Sequence, residues 1–240
     1  MVVPLTMVAV ADVHSPQYVP LLVTSINKIK SRNLKPDLII LAGDIVEKNS
    51  VPHVRVVLEI VNKLSNKHGT TPPIIGVFGN EEYMGYEHEY ISKYPQIIWI
   101  NDEYKVLETE NIEVCVVGSR GALLKPTTWQ QKHIPHVDAL YKTRVEKIKE
   151  LLRQCKKYRA SILVTHYALT FATVEGENLN IYKFLGYPLI ETLEDDEKPL
   201  LAVHGHAHKA VKTYANVKGV PVYNISLPAV KNVTVLDLSL

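Results

Sequence analysis

The chain has 240 residues, 46% of them hydrophobic and 22% charged, with Lys+Arg 27 against Asp+Glu 25 for a formal net charge of +2. That balance excludes a disordered chain, a collagen-like fibre and a coiled coil, and it leaves no net field to draw nucleic acid or an acidic membrane. Cys115 and Cys155 are too few for a disulfide scaffold and have no metal spacing, whereas 10 histidines are the one departure from ordinary usage.

Residues 5–11 (LTMVAVA) are apolar on both faces and predict a buried strand. The run is too short to cross a bilayer and lacks a basic n-region, so it reads as a strand rather than a leader. With both cysteines lacking a visible partner, this points to a reducing cytoplasm. Residues 19–30 put Leu22, Ile26 and Ile29 on one helical face. A second buried strand, 38–42, ends at Gly43-Asp44. Pro52 suits a helix start, and the stripe Val54, Val57, Leu58, Val61 and Leu64 runs to a stop at Gly69. A third strand, 74–78, ends at Gly79-Asn80. This alternation predicts a parallel sheet with right-handed crossovers.

The second half is less regular. Short strands are predicted at 97–100, 105–108 and 112–117, in mixed or antiparallel pairing. An amphipathic helix follows over 141–158, with Val145, Ile148, Leu151, Leu152 and Cys155 inward. Strand 161–165 delivers His166, and strand 200–203 delivers His204-Gly205-His206-Ala207-His208. Further strands are expected at 211–214, 221–225 and 233–236. The stretch 168–198 either walls a site or is a surface excursion with one helix, and its acidic run 191–197 reads as a solvated loop. No repeat or linker divides the chain, so residues 1–240 are expected to form one domain.

Five strand ends carry polar residues suited to a hard or borderline cation: Asp12-Val13-His14, Gly43-Asp44, Gly79-Asn80, His166 and His206-Ala207-His208. In an α/β sheet, ligands gather at the carboxyl ends of the strands, so these distant residues are expected to converge. Alone, each is weak, since Gly-Asp and Gly-Asn are also ordinary turn chemistry. Imidazole with carboxylate and no cysteine suits Mn, Fe, Zn or Ni and argues against a structural zinc site.

In that order the five pieces resemble the calcineurin-like metallophosphoesterases, which carry D-x-H, G-D, G-N-H, a lone His and G-H-x-H. The resemblance spans residues 12–208. It implies an α/β fold, a four-layer αββα sandwich of two mixed β-sheets flanked by helices. It also implies two divalent metal ions, one on Asp12, His14, Asp44 and His208, the other on Asn80, His166, His206 and the shared Asp44. The implied reaction is hydrolysis of a soluble phosphodiester or phosphomonoester, a small molecule, by a hydroxide shared between the two cations.

One departure is visible: Glu81 stands where the family places a histidine beside the asparagine. Glu81 is therefore a candidate proton donor to the leaving oxygen, or else a helix-start residue, and its presence tilts the expectation towards diesters. His204 is an alternative donor, or a packed strand residue. Arg120, in Gly118-Ser119-Arg120-Gly121, is a candidate phosphate clamp or an exposed turn residue. Tyr83, Tyr86 and Tyr167 flank expected ligands and could stack on substrate. The competing readings are a non-catalytic metal-binding interaction module on the same fold and a nuclease, the latter disfavoured by the lack of a basic stripe. No nucleic-acid or membrane partner is expected.

Overall fold

The computed structural model describes residues 4–109 and 112–239. β1 (Pro4–Val10), β2 (Leu38–Ala42) and β3 (Ile74–Val77) alternate with α1 (Val19–Ser31) and α2 (Val54–Val61). After them come α3 (Glu87–Lys93), β4 (Ile97–Trp99), β5 (Glu103–Thr109) and β6 (Ile112–Ser119). Next come α4 (Thr128–His133), α5 (Val137–Cys155), β7 (Ala160–Thr165) and β8 (Leu201–His204). The chain ends with β9 (Tyr214–Val217), β10 (Val220–Asn224), α6 (Leu227–Val230) and β11 (Thr234–Ser239).

The strands form two mixed sheets, ordered β11-β1-β2-β3-β4 and β5-β6-β7-β8-β10-β9. β1, β2, β3 and β4 pair in parallel, with β11 antiparallel at the edge. In the second sheet β6, β7, β8 and β10 are parallel, while β5 and β9 are antiparallel edges.

The period-2 alternation of side chains sorts each strand between two cores. Met7, Ala9, Ile40 and Val77 meet Val114, Val116, Ile162 and Val203 between the sheets. On the outer face of the first sheet, Val8, Val10, Ile39 and Leu41 pack against Leu22 and Ile26 of α1 and Val57 and Leu58 of α2. On the outer face of the second, Val117, Leu163 and Val222 pack against Ile148, Leu151 and Leu152 of α5. Burying both faces of each sheet gives four layers, helix–sheet–sheet–helix, as the resemblance implied.

Several expectations are corrected. The helix predicted from residue 141 begins at Val137, and α3 and α4 were not anticipated. α3 buries only Tyr90, so it has no apolar stripe to read. No strand covers 211–213, where Val211 is 78% exposed; β9 starts at Tyr214. The stretch 168–198 folds as short 3-10 turns, Phe171–Thr173, Leu179–Phe184 and Ile190–Thr192. Its acidic run is not wholly solvated: Glu197 is buried and accepts hydrogen bonds from Arg153 and from the backbone N–H of Glu194.

Cys115 and Cys155, read as unpaired, are joined in a disulfide. Cys115 lies on the helix-facing side of β6 and Cys155 closes α5, so docking the helix brings their Cα atoms to 5.7 Å. A cysteine pair joined in this way does not point to a reducing compartment.

Candidate metal centre

The loops leaving β1, β2, β3, β7 and β8 meet at one end of the seam between the sheets. Backbone bonds lace them in pairs: the N–H groups of Asp12 and His14 donate to the carbonyls of Gly43 and Asp44, and that of Gly205 donates to the carbonyl of His166. Two further bonds cross between the sheets. His206 N–H donates to Asp12 Oδ2 (2.9 Å), and His166 Nδ1 lies 3.1 Å from the Ala42 carbonyl oxygen.

The tightness of this crossing explains the glycines that precede the polar residues. Gly43 has φ +80°, and a Cβ there would lie 2.7 Å from the Gly79 backbone nitrogen and 2.8 Å from His166 Nδ1. A Cβ on Gly79 would overlap the Asp44 carboxylate. Left-handed backbone extends to Asp12, His14, Asp44 and His206, with φ between +41° and +68°. Such strain in non-glycine residues persists only where the surroundings over-determine it, and it clusters at functional sites.

All seven residues named as candidate ligands converge here. Asp12, His14 and His208 form one group and Asp44, His166 and His206 another, each with ligand-type atoms within 4.8 Å of one another. In the first, Asp12 Oδ1 is 3.0 Å from His208 Nε2 and 3.9 Å from His14 Nε2, and the two imidazole nitrogens are 3.4 Å apart. In the second, Asp44 Oδ2 is 3.3 Å from His166 Nε2, which is 3.0 Å from Asn80 Oδ1. The same Asp44 oxygen lies 3.7 Å from His14 Nε2, so Asp44 stands between the groups. His206 Nε2 faces the Phe184 carbonyl at 3.3 Å, which leaves Nδ1 for the centre. Phe184 also shows that the stretch 168–198 does wall the site.

The donor set fits a pair of divalent cations. Asp12 Oδ1 is buried and has no aligned hydrogen-bond donor among the described residues. Burial opposes ionisation of Asp12, yet the close His208 imidazole, then the charges of His166 and His14, hold its carboxyl well below the usual range. Asp44 is likewise held low by His166 against the effect of burial. Burial would lower His166, but the charge and hydrogen bond of Asp44, then Asp12, push it up to about 9. His206, with no such partner, is driven down to about 3 by burial and the neighbouring His166. Buried carboxylates that draw a proton onto a buried imidazole define a pocket that favours positive charge, which a cation with neutral imidazole ligands would supply.

Three other candidates are placed differently from one another. The Glu81 carboxylate stands at the rim, where Oε2 accepts from Lys48 N–H (2.7 Å) and Oε1 lies 3.5 Å from Asn80 Nδ2. His204 is wholly buried, with Nε2 on the Thr173 hydroxyl (2.7 Å) and Nδ1 on the Gly205 carbonyl (2.8 Å). Burial takes it down to about 4, so it is a neutral packing residue with no open nitrogen, not a proton donor to substrate. Arg120 is neither a phosphate fork nor an exposed turn: it is 2% exposed. Its Nη1 donates to the carbonyls of Gly79 and Glu82, and its Nη2 to Glu87 Oε1 at 2.8 Å. It clamps the loop that presents Asn80.

Sequence reasoning missed Glu82. Its buried carboxylate accepts from the backbone N–H groups of Gly79, Asp44, Ile45 and Val46 at 2.7–3.1 Å. Burial and the nearby Asp44 charge push it up to about 7 against the pull of those donors. One side chain thus fixes the loops after β2 and β3 together. The signal available was the run of backbone donors that two such tight loops expose and that some acceptor must satisfy.

No curated protein sequence matches the chain. Among solved structures, the chain is similar to a phosphopantetheinyl hydrolase from Mycobacterium tuberculosis, at 16% identity over 94% of this chain and 90% of that chain, TM-score 0.67. A dimetal phosphatase from Danio rerio aligns at 11% identity over 92% of this chain and 87% of that chain, TM-score 0.55. GAP50, the anchor in the inner membrane complex of Plasmodium, aligns at 13% identity over 94% of this chain and 72% of that chain, TM-score 0.57. At these identities the likenesses show the fold. The sequence model of the calcineurin-like phosphoesterases matches residues 5–210, most of the chain, and with the motif order and converging strand ends it establishes that this chain belongs to the calcineurin-like phosphoesterase family.

Proposed function

We propose that the chain is a dinuclear metal-dependent phosphoric ester hydrolase acting on a small soluble phosphodiester or phosphomonoester. The observation that carries this reading is the Asp44 carboxylate standing between two separate His/Asp groups. A shared position needs one carboxylate that faces both groups, and Asp44 Oδ2 lies 3.3 Å from His166 Nε2 and 3.7 Å from His14 Nε2, whereas of the second group's imidazoles Asp12 reaches only the His166 nitrogen that is turned to the Ala42 carbonyl. Asp12, His14 and His208 would hold one cation and Asn80, His166 and His206 the other, with Asp44 shared. When bound, two such cations neutralise phosphoryl oxygens and lower the pKa of a water enough to supply the nucleophile at neutral pH. The mixed nitrogen and oxygen donors without cysteine suit Mn, Fe, Zn or Ni, with manganese taken first.

The chain's own residues position these groups. Glu82 and Arg120 hold the Asn80 loop, and His206 is oriented by the Phe184 carbonyl. Glu81, at the rim beside Asn80, is the side chain proposed to pass a proton to the leaving oxygen, and its replacement of histidine favours diesters. We read residues 1–240 as one catalytic unit. No helix among the described residues is long and apolar enough to cross a membrane.

The alternative is an interaction module on the same fold, as GAP50 is an anchor in the inner membrane complex of Plasmodium. Retention of all seven candidate ligands favours the enzyme. Metal analysis combined with turnover of bis-p-nitrophenyl phosphate and p-nitrophenyl phosphate across Mn, Fe, Ni and Zn decides between them. Two metals per chain with turnover support the hydrolase; two metals without turnover on a broad phosphoester panel support the module; failure to bind two metals sinks both. Glu81→Gln assayed on both esters tests the proton donor, and unchanged rates would remove Glu81 from the mechanism.

A further inference from the structure

Beside the metal centre lies a cavity of about 450 Å³, within the size range of small-molecule sites. It shares Asn80 and Tyr167 with the centre: Asn80 Oδ1 is 3.0 Å from His166 Nε2, and the Tyr167 ring is 5.0 Å from the His206 ring. A smaller cavity, lined by Asn80, Glu81, Tyr167, Phe184 and His206 among others, continues it towards the centre.

The walls are aromatic and unusually exposed. Tyr83, Met84, Tyr86 and Trp129 are 38–59% exposed, and all four line this one cavity. Large apolar side chains grouped around one concavity mark a place where a partner completes the burial. The wall is also held in advance. The Trp129 indole stacks on His133 with centroids 4.5 Å apart. α4, which carries both, is capped by the reciprocal Thr127–Gln130 bonds, and Gln130 Nε2 donates to the Tyr167 hydroxyl at 3.1 Å. Trp129 is thereby tied to the strand end that presents His166.

The geometry points to a subsite for a planar heteroaromatic group, of nucleobase size, attached to the phosphoester and stacked on Trp129, Tyr83 and Tyr86. The inference rests on the phosphoesterase reading for the word phosphoester, while the stacking wall stands on its own geometry. Specificity would then reside in this wall, because the phosphoryl end is common to all substrates of the class.

The test compares the phosphonate analogues of AMP and of ribose 5-phosphate, which carry a P–C bond in place of the ester and differ from each other only in the base. On the metal-loaded protein, calorimetry should show the adenosine analogue binding about tenfold tighter or more, the scale of base–aromatic stacking. It should also quench Trp129 emission, since the other tryptophan, Trp99, is buried. In Trp129→Ala and Tyr86→Ala the ratio should fall towards one, and in Trp129→Ala the quench should vanish. Equal affinity of the two analogues for the native protein overturns the subsite. Turnover of phosphoesters with no base advantage leaves the hydrolase reading standing alone; a base advantage in a protein that turns over no phosphoester leaves the subsite standing alone.

Discussion

The first sheet brings Asp12, His14, Asp44 and Asn80 to the centre, three oxygen donors and one imidazole, whereas the second brings only imidazoles, His166, His206 and His208. The two halves are also held differently. The loops of the first are fixed to each other from within by the Glu82 carboxylate on their backbone N–H groups, with Arg120, from the end of β6 in the second sheet, adding a clamp on their carbonyls. Those of the second are held across the seam, His206 by Asp12 and His166 by Ala42. Burial disfavours charge on both sides, so neither half would carry its charges alone. His208 and His166 keep Asp12 and Asp44 ionised, and those carboxylates in turn raise His166. The centre is therefore a property of the contact between the sheets rather than of either sheet.

The sharpest way to break this complementarity is Asp44→Asn, which keeps the shape and removes the charge shared by both groups. Metal content should fall below two per chain, and turnover should drop by about 10³-fold or more. Retention of two metals would show that the seam does not depend on Asp44.

Glu82→Ala tests whether the first half is fixed from within. It leaves four buried backbone donors without their acceptor, so denaturant unfolding should show a loss of at least about 3 kcal/mol. A loss under about 1 kcal/mol would mean that the two loops hold each other without it.

The second half has a tie of its own, the disulfide from β6 to α5 across a separation of 40 residues. Reduction, or Cys115→Ser, should lower stability by about 3 kcal/mol, read as a shift in the urea midpoint with little change in metal content. A change in metal content instead would couple that helix to the centre.

Arg120→Lys is milder, because a lysine cannot span two carbonyls and Glu87 together. Metal affinity should weaken by about 10–100-fold, with a smaller change in KM. A change confined to KM would restore Arg120 as a contact to substrate.

Smallest is Glu87→Gln. Burial works to raise the Glu87 carboxyl, but its own backbone N–H and then Arg120 hold it below the ordinary value of 4.5. The pair therefore stabilises the fold above pH 4.5 and ceases to do so as pH falls through the lower folded-state value. The difference between variant and parent should be less than about 1 kcal/mol at neutral pH and should shrink in acid. A difference that grows in acid would contradict the sign.

Much of the centre was legible because its signals are local. A buried strand followed at once by Gly-Asp, Gly-Asn or His-x-His announces itself within a few residues, and strand ends of an α/β sheet have one place to meet. Glu82 was not legible, since its carboxylate serves backbone groups as many as 38 residues away and nothing near it in sequence distinguishes it from the exposed-looking Glu81. Arg120 was misjudged for the same reason: its partners lie 33–41 residues off, on a loop whose carbonyls cannot be seen in a string of letters. α3 and α4, 7 and 6 residues long, are too short for a hydrophobic period to emerge.

By itself, then, the amino-acid order determined the strand ends, the glycines beside them and the choice of oxygen or imidazole at each, because those depend on neighbours in the chain. Only the tertiary structure decided that Asp44 faces both groups, that Glu82 and Arg120 are spent on backbone, that Cys115 meets Cys155 on a docked helix, and that four exposed apolar residues surround one cavity. Those outcomes depend on which surfaces two sheets and their helices press together, and packing brings into contact groups that the chain keeps far apart.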